Sequence, residues 1–174
     1  MNLRPYQQQL VTEIRGQYQL GHRKVLAVLP TGAGKTVCFS HIAQAAAKKG
    51  NRVLIAVHRQ ELLDQACCSL PMPHGVIAAN RAMDLSAAVQ AASVQTLARR
   101  LHKLPRDFFQ LVIIDEAHHS NAGTWAKVLD HFQSAHLLGV TATPIRLDGR
   151  GLGEHYQSWW KSIGCMADGQ RLPS

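Results

Sequence analysis

Short apolar runs alternate along this chain with stretches whose apolar residues recur at helical spacing. Val25–Leu29, Arg52–Val57, Leu111–Ile114 and His136–Val140 read as buried strands, and Gly75–Ala79 and Val89–Ala92 as shorter ones. Between them the period changes to that of a helix. Pro5 opens one, whose face carries Tyr6, Leu10, Val11, Ile14 and Tyr18 until Gly21 stops it. A second carries Phe39, Ile42, Ala43 and Ala46 and closes on Lys48-Lys49-Gly50, with cations in the last turn and glycine after it. Arg59–Leu70 presents Leu62, Leu63, Ala66 and Cys67 on one side before Pro71-Met72-Pro73 breaks it. Val94–Leu101 reads as a short helix, and Trp125, Val128, Leu129 and Phe132 mark another. Strands that alternate with helices predict an α/β fold, its central sheet mostly parallel and covered by helices on both faces.

After Pro144 the pattern fails. Gly149, Gly151 and Gly153 loosen the chain, and Trp159-Trp160 have no periodic partners. Residues 1–155 are therefore read as one domain, and 156–174 as a tail that either begins a further domain or is disordered. No internal repeat or low-complexity segment is present.

Composition narrows the picture. A chain of 174 residues, 46% hydrophobic and 17% charged, suits a single globular domain burying roughly 70% of its unfolded surface. Lys+Arg 19 against Asp+Glu 11 leaves a charge of +8, which suits a polyanionic partner. The four cysteines lack metal-ligand spacing; Cys38 and Cys67 fall on apolar helix positions, as buried thiols in a reducing compartment do. Nor do the ten histidines form a ligand pattern, since His118-His119 are adjacent rather than one helical turn apart, and no structural metal is expected. The opening Met1–Tyr6 carries no signal-type apolar region and no apolar run reaches membrane-spanning length, so a soluble cytoplasmic protein is expected.

Two segments carry chemistry, each at the end of an apolar strand. Pro30-Thr31-Gly32-Ala33-Gly34-Lys35-Thr36 follows Val25–Leu29. A glycine-rich turn of this kind lets backbone N–H groups face an anion, while Lys35 neutralises the outer phosphates and the Thr36 hydroxyl holds Mg²⁺. The general phosphate-loop pattern asks for a further glycine where Leu29 stands; here Pro30-Thr31-Gly32 replaces it. Asp115-Glu116-Ala117-His118 follows Leu111–Ile114. Asp115 is placed to hold Mg²⁺ through its water shell, and Glu116 to orient and deprotonate an attacking water. The alternative for this pair is a solvated acidic helix start. Together and in this order, the two segments predict a domain that binds and hydrolyses ATP.

With four further segments, these two resemble the superfamily-two helicases, DEAD/DEAH type. The others are Leu3-Arg4-Pro5-Tyr6-Gln7, His58-Arg59-Gln60-Glu61-Leu62-Leu63-Asp64-Gln65, Ser93-Val94-Gln95-Thr96-Leu97 and Thr141-Ala142-Thr143-Pro144. The likeness covers roughly residues 3 to 155 and is to the first RecA-like, ATP-binding domain, as in the motor subunits of restriction enzymes and in excision-repair helicases. It implies a RecA-like phosphate-loop fold, with ATP and Mg²⁺ bound by Pro30, Thr31, Gly32, Ala33, Gly34, Lys35 and Thr36 and hydrolysis assisted by Lys35, Asp115 and Glu116. It also implies that Arg4 and Gln7 read adenine, although three consecutive glutamines, Gln7, Gln8 and Gln9, could equally face water. His118, Thr141 and Thr143 would couple nucleotide state to motion; His118 also reads as a partly exposed polar residue. Arg59, Gln95 and Thr96 would touch a nucleic-acid backbone, their bland readings being a solvated arginine and a capping threonine.

The partner this implies is nucleic acid, with DNA favoured over RNA by the nearest relatives. Such motors close on ATP with a second RecA-like domain. Its motifs are missing from this sequence, so a separate chain or further segment would supply it and these 174 residues are not an autonomous helicase. A remnant that binds nucleotide or DNA without turnover is the alternative. A phosphate-loop kinase has no reason to carry Thr141–Pro144 or His58–Gln65.

Overall fold

The computed structural model describes residues 3–30, 32–58, 60–115, 122–142 and 161–164, giving the backbone course alone for 60, 61, 122 and 161–164. The chain runs α1 (Pro5–Gln19), β1 (Lys24–Val28), α2 (Lys35–Lys48), β2 (Val53–Val57), α3 (Gln60–Ser69), β3 (His74–Ile77) and β4 (Val89–Ser93). It continues through α4 (Val94–Arg100), a 3₁₀ turn at Leu101–Lys103, β5 (Leu111–Asp115), α5 (Ala122–His131), β6 (His136–Thr141) and β7 (Lys161–Gly164). The strands form one sheet in the order β3-β4-β2-β5-β6-β1-β7, and every neighbouring pair is parallel.

A parallel sheet forces each connection to cross over a face, so both faces are covered by helices and the strands are apolar throughout. All five residues of β2 are buried. Successive side chains point to opposite faces, and the core divides accordingly. Val53, Ile55 and Val57 join Leu10, Ile14, Phe39, Ile42 and Leu63 of α1, α2 and α3. Leu54 and Ala56 join Leu97 of α4, Trp125 and Val128 of α5, and Phe132 just after it on the other face. Each fully buried side chain of this size contributes roughly 1.5–3 kcal/mol, so the two layers hold the sheet rigid beneath whatever its strand ends carry.

Strand β7 lies within the stretch read from the sequence as a tail. It pairs with β1 from Val25↔Lys161 to Val28↔Gly164. Its four residues, Lys-Ser-Ile-Gly, include one large apolar side chain, so no apolar run announces it.

Near the start of β6, the Tyr18 hydroxyl donates to the Leu137 carbonyl at 3.1 Å, and the Tyr18 and His136 rings meet edge to face at 4.9 Å. Burial, then the neighbouring charge of Arg23, lowers the His136 pKa below its ordinary 6.5. His41 is lowered as well, by burial and by the charges of Arg15, the N-terminus and Lys48. The unfolded chain therefore takes up protons below about pH 6.5 that the folded chain resists, and stability falls as pH drops through that value. Urea unfolding at a series of pH values checks this. The midpoint should decline on acidification, and His136→Phe, which keeps the ring and removes the titration, should flatten the decline.

Candidate nucleotide site

The phosphate-loop sequence forms a tight turn between β1 and α2. The Leu29 N–H donates to the Thr141 carbonyl at 2.9 Å, tying the loop's entry to the end of β6. Within the turn, the Ala33 N–H donates to the Pro30 carbonyl at 3.1 Å. Gly32 and Gly34 take φ of 81° and 77°, a left-handed conformation costing other residues roughly 1–2 kcal/mol, which is why glycine stands at both. Gly34 is the residue before α2, and its carbonyl accepts the Cys38 N–H at 3.1 Å. Among the described residues no backbone acceptor takes the N–H of Gly32 or Gly34. The first N–H groups of α2 also lack intrahelical partners, and the helix dipole adds partial positive charge there. Such a loop has the chemistry to cradle an anion, with Lys35 and Thr36 half-buried in the helix's first turn.

The start of α1 is fastened to this loop. Gln7 is 4% exposed, and both ends of its amide are engaged: Oε1 accepts the Arg4 N–H at 2.9 Å and Nε2 donates to the Ala33 carbonyl at 3.0 Å. The Tyr6 hydroxyl donates to that same carbonyl at 2.9 Å. Arg4 itself is exposed. Of the three consecutive glutamines, Gln8 and Gln9 face solvent and Gln7 does not.

Asp115 ends β5, half-buried and opposite Val140 of β6; Thr141 ends β6, fully buried and opposite Val28 of β1. Since β5, β6 and β1 are adjacent, the acid, the threonine and the phosphate loop share the carboxyl edge of three neighbouring strands. Ligands of open α/β sheets bind at that edge. A hydroxyl at Thr36 and a carboxylate at Asp115 are hard oxygen donors of the kind Mg²⁺ takes alongside phosphate oxygens. Among the described residues no three His, Cys, Asp or Glu gather as a metal-ligand cluster. Beneath the loop, burial pushes the Cys38 thiol up to about 11, so it stays protonated packing material. Thr31, Arg59, Glu116, His118 and Thr143 lie outside the described residues.

Farther along the same edge, β4 and β2 bring Gln95 and His58 together. Gln95 is exposed; its Oε1 accepts the Ser93 hydroxyl at 2.9 Å, and its Nε2 lies 3.5 Å from His58 Nδ1. Thr96 is 7% exposed and faces the packing beneath α4. Arg100 spends its guanidinium on the Ala79 and Arg81 carbonyls at 3.0 Å each, closing the turn after β3. Two residues gained a part that periodicity did not assign: Tyr6, read as a member of an apolar face, and His58. A tyrosine in a helix's first turn, apolar in body and polar at the tip, is the signal that could have been used. A cavity of about 580 Å³, lined by Tyr18, Ile42 and Phe109, lies by the starts of β5 and β6, away from the loop.

Comparison with known proteins decides the family. Residues 1–146 match the family described as type III restriction enzyme, res subunit. The chain belongs to that family. It is 37% identical over 169 residues to a Saccharomyces cerevisiae protein named as an ATP-dependent helicase, IRC3, across 86% of this chain and 24% of that one. To the type I restriction enzyme EcoAI endonuclease subunit of Escherichia coli it is 31% identical over 155 residues, across 81% of this chain and 19% of that one. The UvsW helicase of bacteriophage T4 superposes with a TM-score of 0.73 over 95% of this chain and 60% of its own, at 18% identity, which is a likeness of fold. The chain is thus a RecA-like domain of the kind that comes first in superfamily-two helicases, the fold its sequence implies. It spans about a quarter of the length of IRC3.

Proposed function

We propose that this domain binds ATP and Mg²⁺ and couples ATP hydrolysis to nucleic acid, as the motor half of a DNA helicase or translocase. One observation carries the reading: the phosphate loop, Thr141 and Asp115 stand at the carboxyl ends of the adjacent strands β1, β6 and β5. In this reading Pro30 to Thr36 wrap the phosphates, Lys35 neutralises them, and Thr36 with Asp115 holds Mg²⁺. Mg²⁺ held there would supply charge neutralisation for the transferred phosphoryl group. Glu116 takes the proton of the attacking water. Arg4 and Gln7 border the nucleotide; His118, Thr141 and Thr143 relay its state. A second RecA-like domain would complete the site from the opposite side, so this domain acts as one half of a motor. The free cysteines Cys38, Cys67 and Cys68 suit a reducing compartment such as the cytoplasm, although a fission-yeast relative is named as mitochondrial. No helix among the described residues is long and apolar enough to cross a membrane.

Nucleic acid would run along the strand ends past Arg59 and Gln95, with Thr96 supporting this edge from beneath α4. The res-subunit family and the EcoAI relative favour DNA, and a mimivirus relative named as an RNA helicase makes RNA the competitor to test. Because these contacts reach phosphates and not base edges, binding should be independent of sequence and steeply weakened by salt. Each neutralised phosphate adds a slope of roughly −0.9 for duplex or −0.7 for single strands in log K against log salt. Fluorescence anisotropy across a salt series reads this, and a flat response contradicts it. The function itself is tested by phosphate release with and without DNA. DNA-stimulated release supports a motor; nucleotide binding with no release under any condition means a non-hydrolysing remnant.

A further inference from the structure

We infer that Tyr6 is a positioning residue of the phosphate loop, acting with Gln7 through the Ala33 carbonyl. The inference rests on the nucleotide-site reading above. Two side chains of α1 donate to this one oxygen, Tyr6 Oη at 2.9 Å and Gln7 Nε2 at 3.0 Å, and they stand 3.5 Å from each other. A carbonyl has two lone pairs, and both are used. Its direction is therefore fixed toward α1.

The peptide unit transmits this. The Ala33 carbonyl and the Gly34 N–H belong to one planar trans peptide and point in opposite directions. Holding the oxygen toward α1 turns the Gly34 N–H away from it, to the side where no backbone acceptor among the described residues takes it. That N–H is one of the donors an anion in the loop would use. Gly34 sits at φ 77°, a position whose missing side chain leaves the peptide free to rotate, so the loop needs an external hold. The seat is tight: a Cβ on Gly34 would come within 2.6 Å of Gln7 Nε2. Gln7 in turn is oriented by the Arg4 N–H on its other end. The two side chains thus act on the phosphates of a nucleotide, through the backbone, and not on its base.

A ligand without a base separates these roles. Inorganic tripolyphosphate and ATP, each with Mg²⁺, are titrated calorimetrically into the parent chain, Tyr6→Phe and Gln7→Leu. Loss of one neutral hydrogen bond should weaken both ligands by the same factor, about fivefold for Tyr6→Phe, since such a bond is worth roughly a factor of two to ten. Urea unfolding of each variant shows that it is folded, and a bond that merely stabilises the fold would move that midpoint and leave affinity unchanged. Equal weakening of both ligands supports the inference. Weakening of ATP alone assigns Tyr6 and Gln7 to the base and overturns it, and so does unchanged affinity for both. If the parent binds neither ligand, the phosphate-site reading falls and this inference with it.

Discussion

Replacing Lys35 by alanine is expected to weaken ATP binding by about 10- to 200-fold while leaving the domain folded. The loop offers its phosphates two kinds of donor. Backbone N–H groups around Gly32 and Gly34 are fixed by the turn and survive the substitution. The ammonium of Lys35 is the charged donor supplied by the loop itself, from the first residue of α2. A hydrogen bond to a charged group is worth about 1.5–3 kcal/mol, and each 1.4 kcal/mol is a factor of ten in affinity. Position 35 is half-buried at a helix start where alanine is well tolerated, so the lost affinity should not be lost folding. Calorimetric titration of parent and variant with ATP and Mg²⁺ measures the change, and far-ultraviolet circular dichroism checks the helix. Unchanged affinity would remove the loop from nucleotide binding, whatever its sequence resembles. The comparison with Tyr6→Phe is informative, because that variant keeps every donor and alters only how one of them is aimed.

The elements that were legible in the sequence are those whose burial is complete. β2 is buried at all five positions and so appears as an unbroken apolar run; α5 and the residue after it show Trp125, Val128, Leu129 and Phe132 because that stripe meets the sheet. The phosphate loop was legible for another reason: two left-handed positions demand glycine, and a conformational demand leaves a mark on the sequence. A short edge strand of mixed composition leaves none. β7 pairs with β1 at the sheet's edge and has four residues of mixed character, so periodicity passes over it.

The same distinction runs through the site. Asp115 and Thr141 were placed by the strands that precede them, and the parallel register brings them beside the loop with no further signal needed. The roles of Tyr6, Gln7 and Arg100 could not be read this way. Each depends on a main-chain carbonyl some 20 to 30 residues away in sequence, Ala33 for the first two and Ala79 and Arg81 for the third. A side chain that bonds to backbone is indifferent to the identity of the residue it meets, so no pattern of residue types records the partner. Thr96 shows the converse. Its hydroxyl suggested a surface contact, but α4 turns position 96 inward and position 95 outward.

Glu116→Gln is expected to keep ATP affinity within a few-fold of the parent and lower turnover by about 10² to 10⁴. A glutamine amide has the shape and most of the hydrogen-bonding capacity of the carboxylate, so a water can still be held in place. It has no lone pair basic enough to accept that water's proton, and general-base assistance is worth a factor of this size. Asp115, the last residue of β5 and its immediate neighbour in sequence, is unaltered, so the residues that would hold Mg²⁺ and ATP remain and both should bind as before. That separation is diagnostic. Loss of affinity together with rate would mean that Glu116 contributes to holding the metal, as proposed for Asp115. Equal rates in variant and parent would mean that another group activates the water. Because a domain of this kind lacks the arginine its partner domain contributes, and such an arginine is worth about 10³ to 10⁵ in rate, the parent's own turnover should be slow. The measurement is therefore a phosphate-release assay at high protein concentration with DNA present, run beside a titration of each protein with ATP. The expected result is nucleotide bound equally by both and released as product by the parent alone.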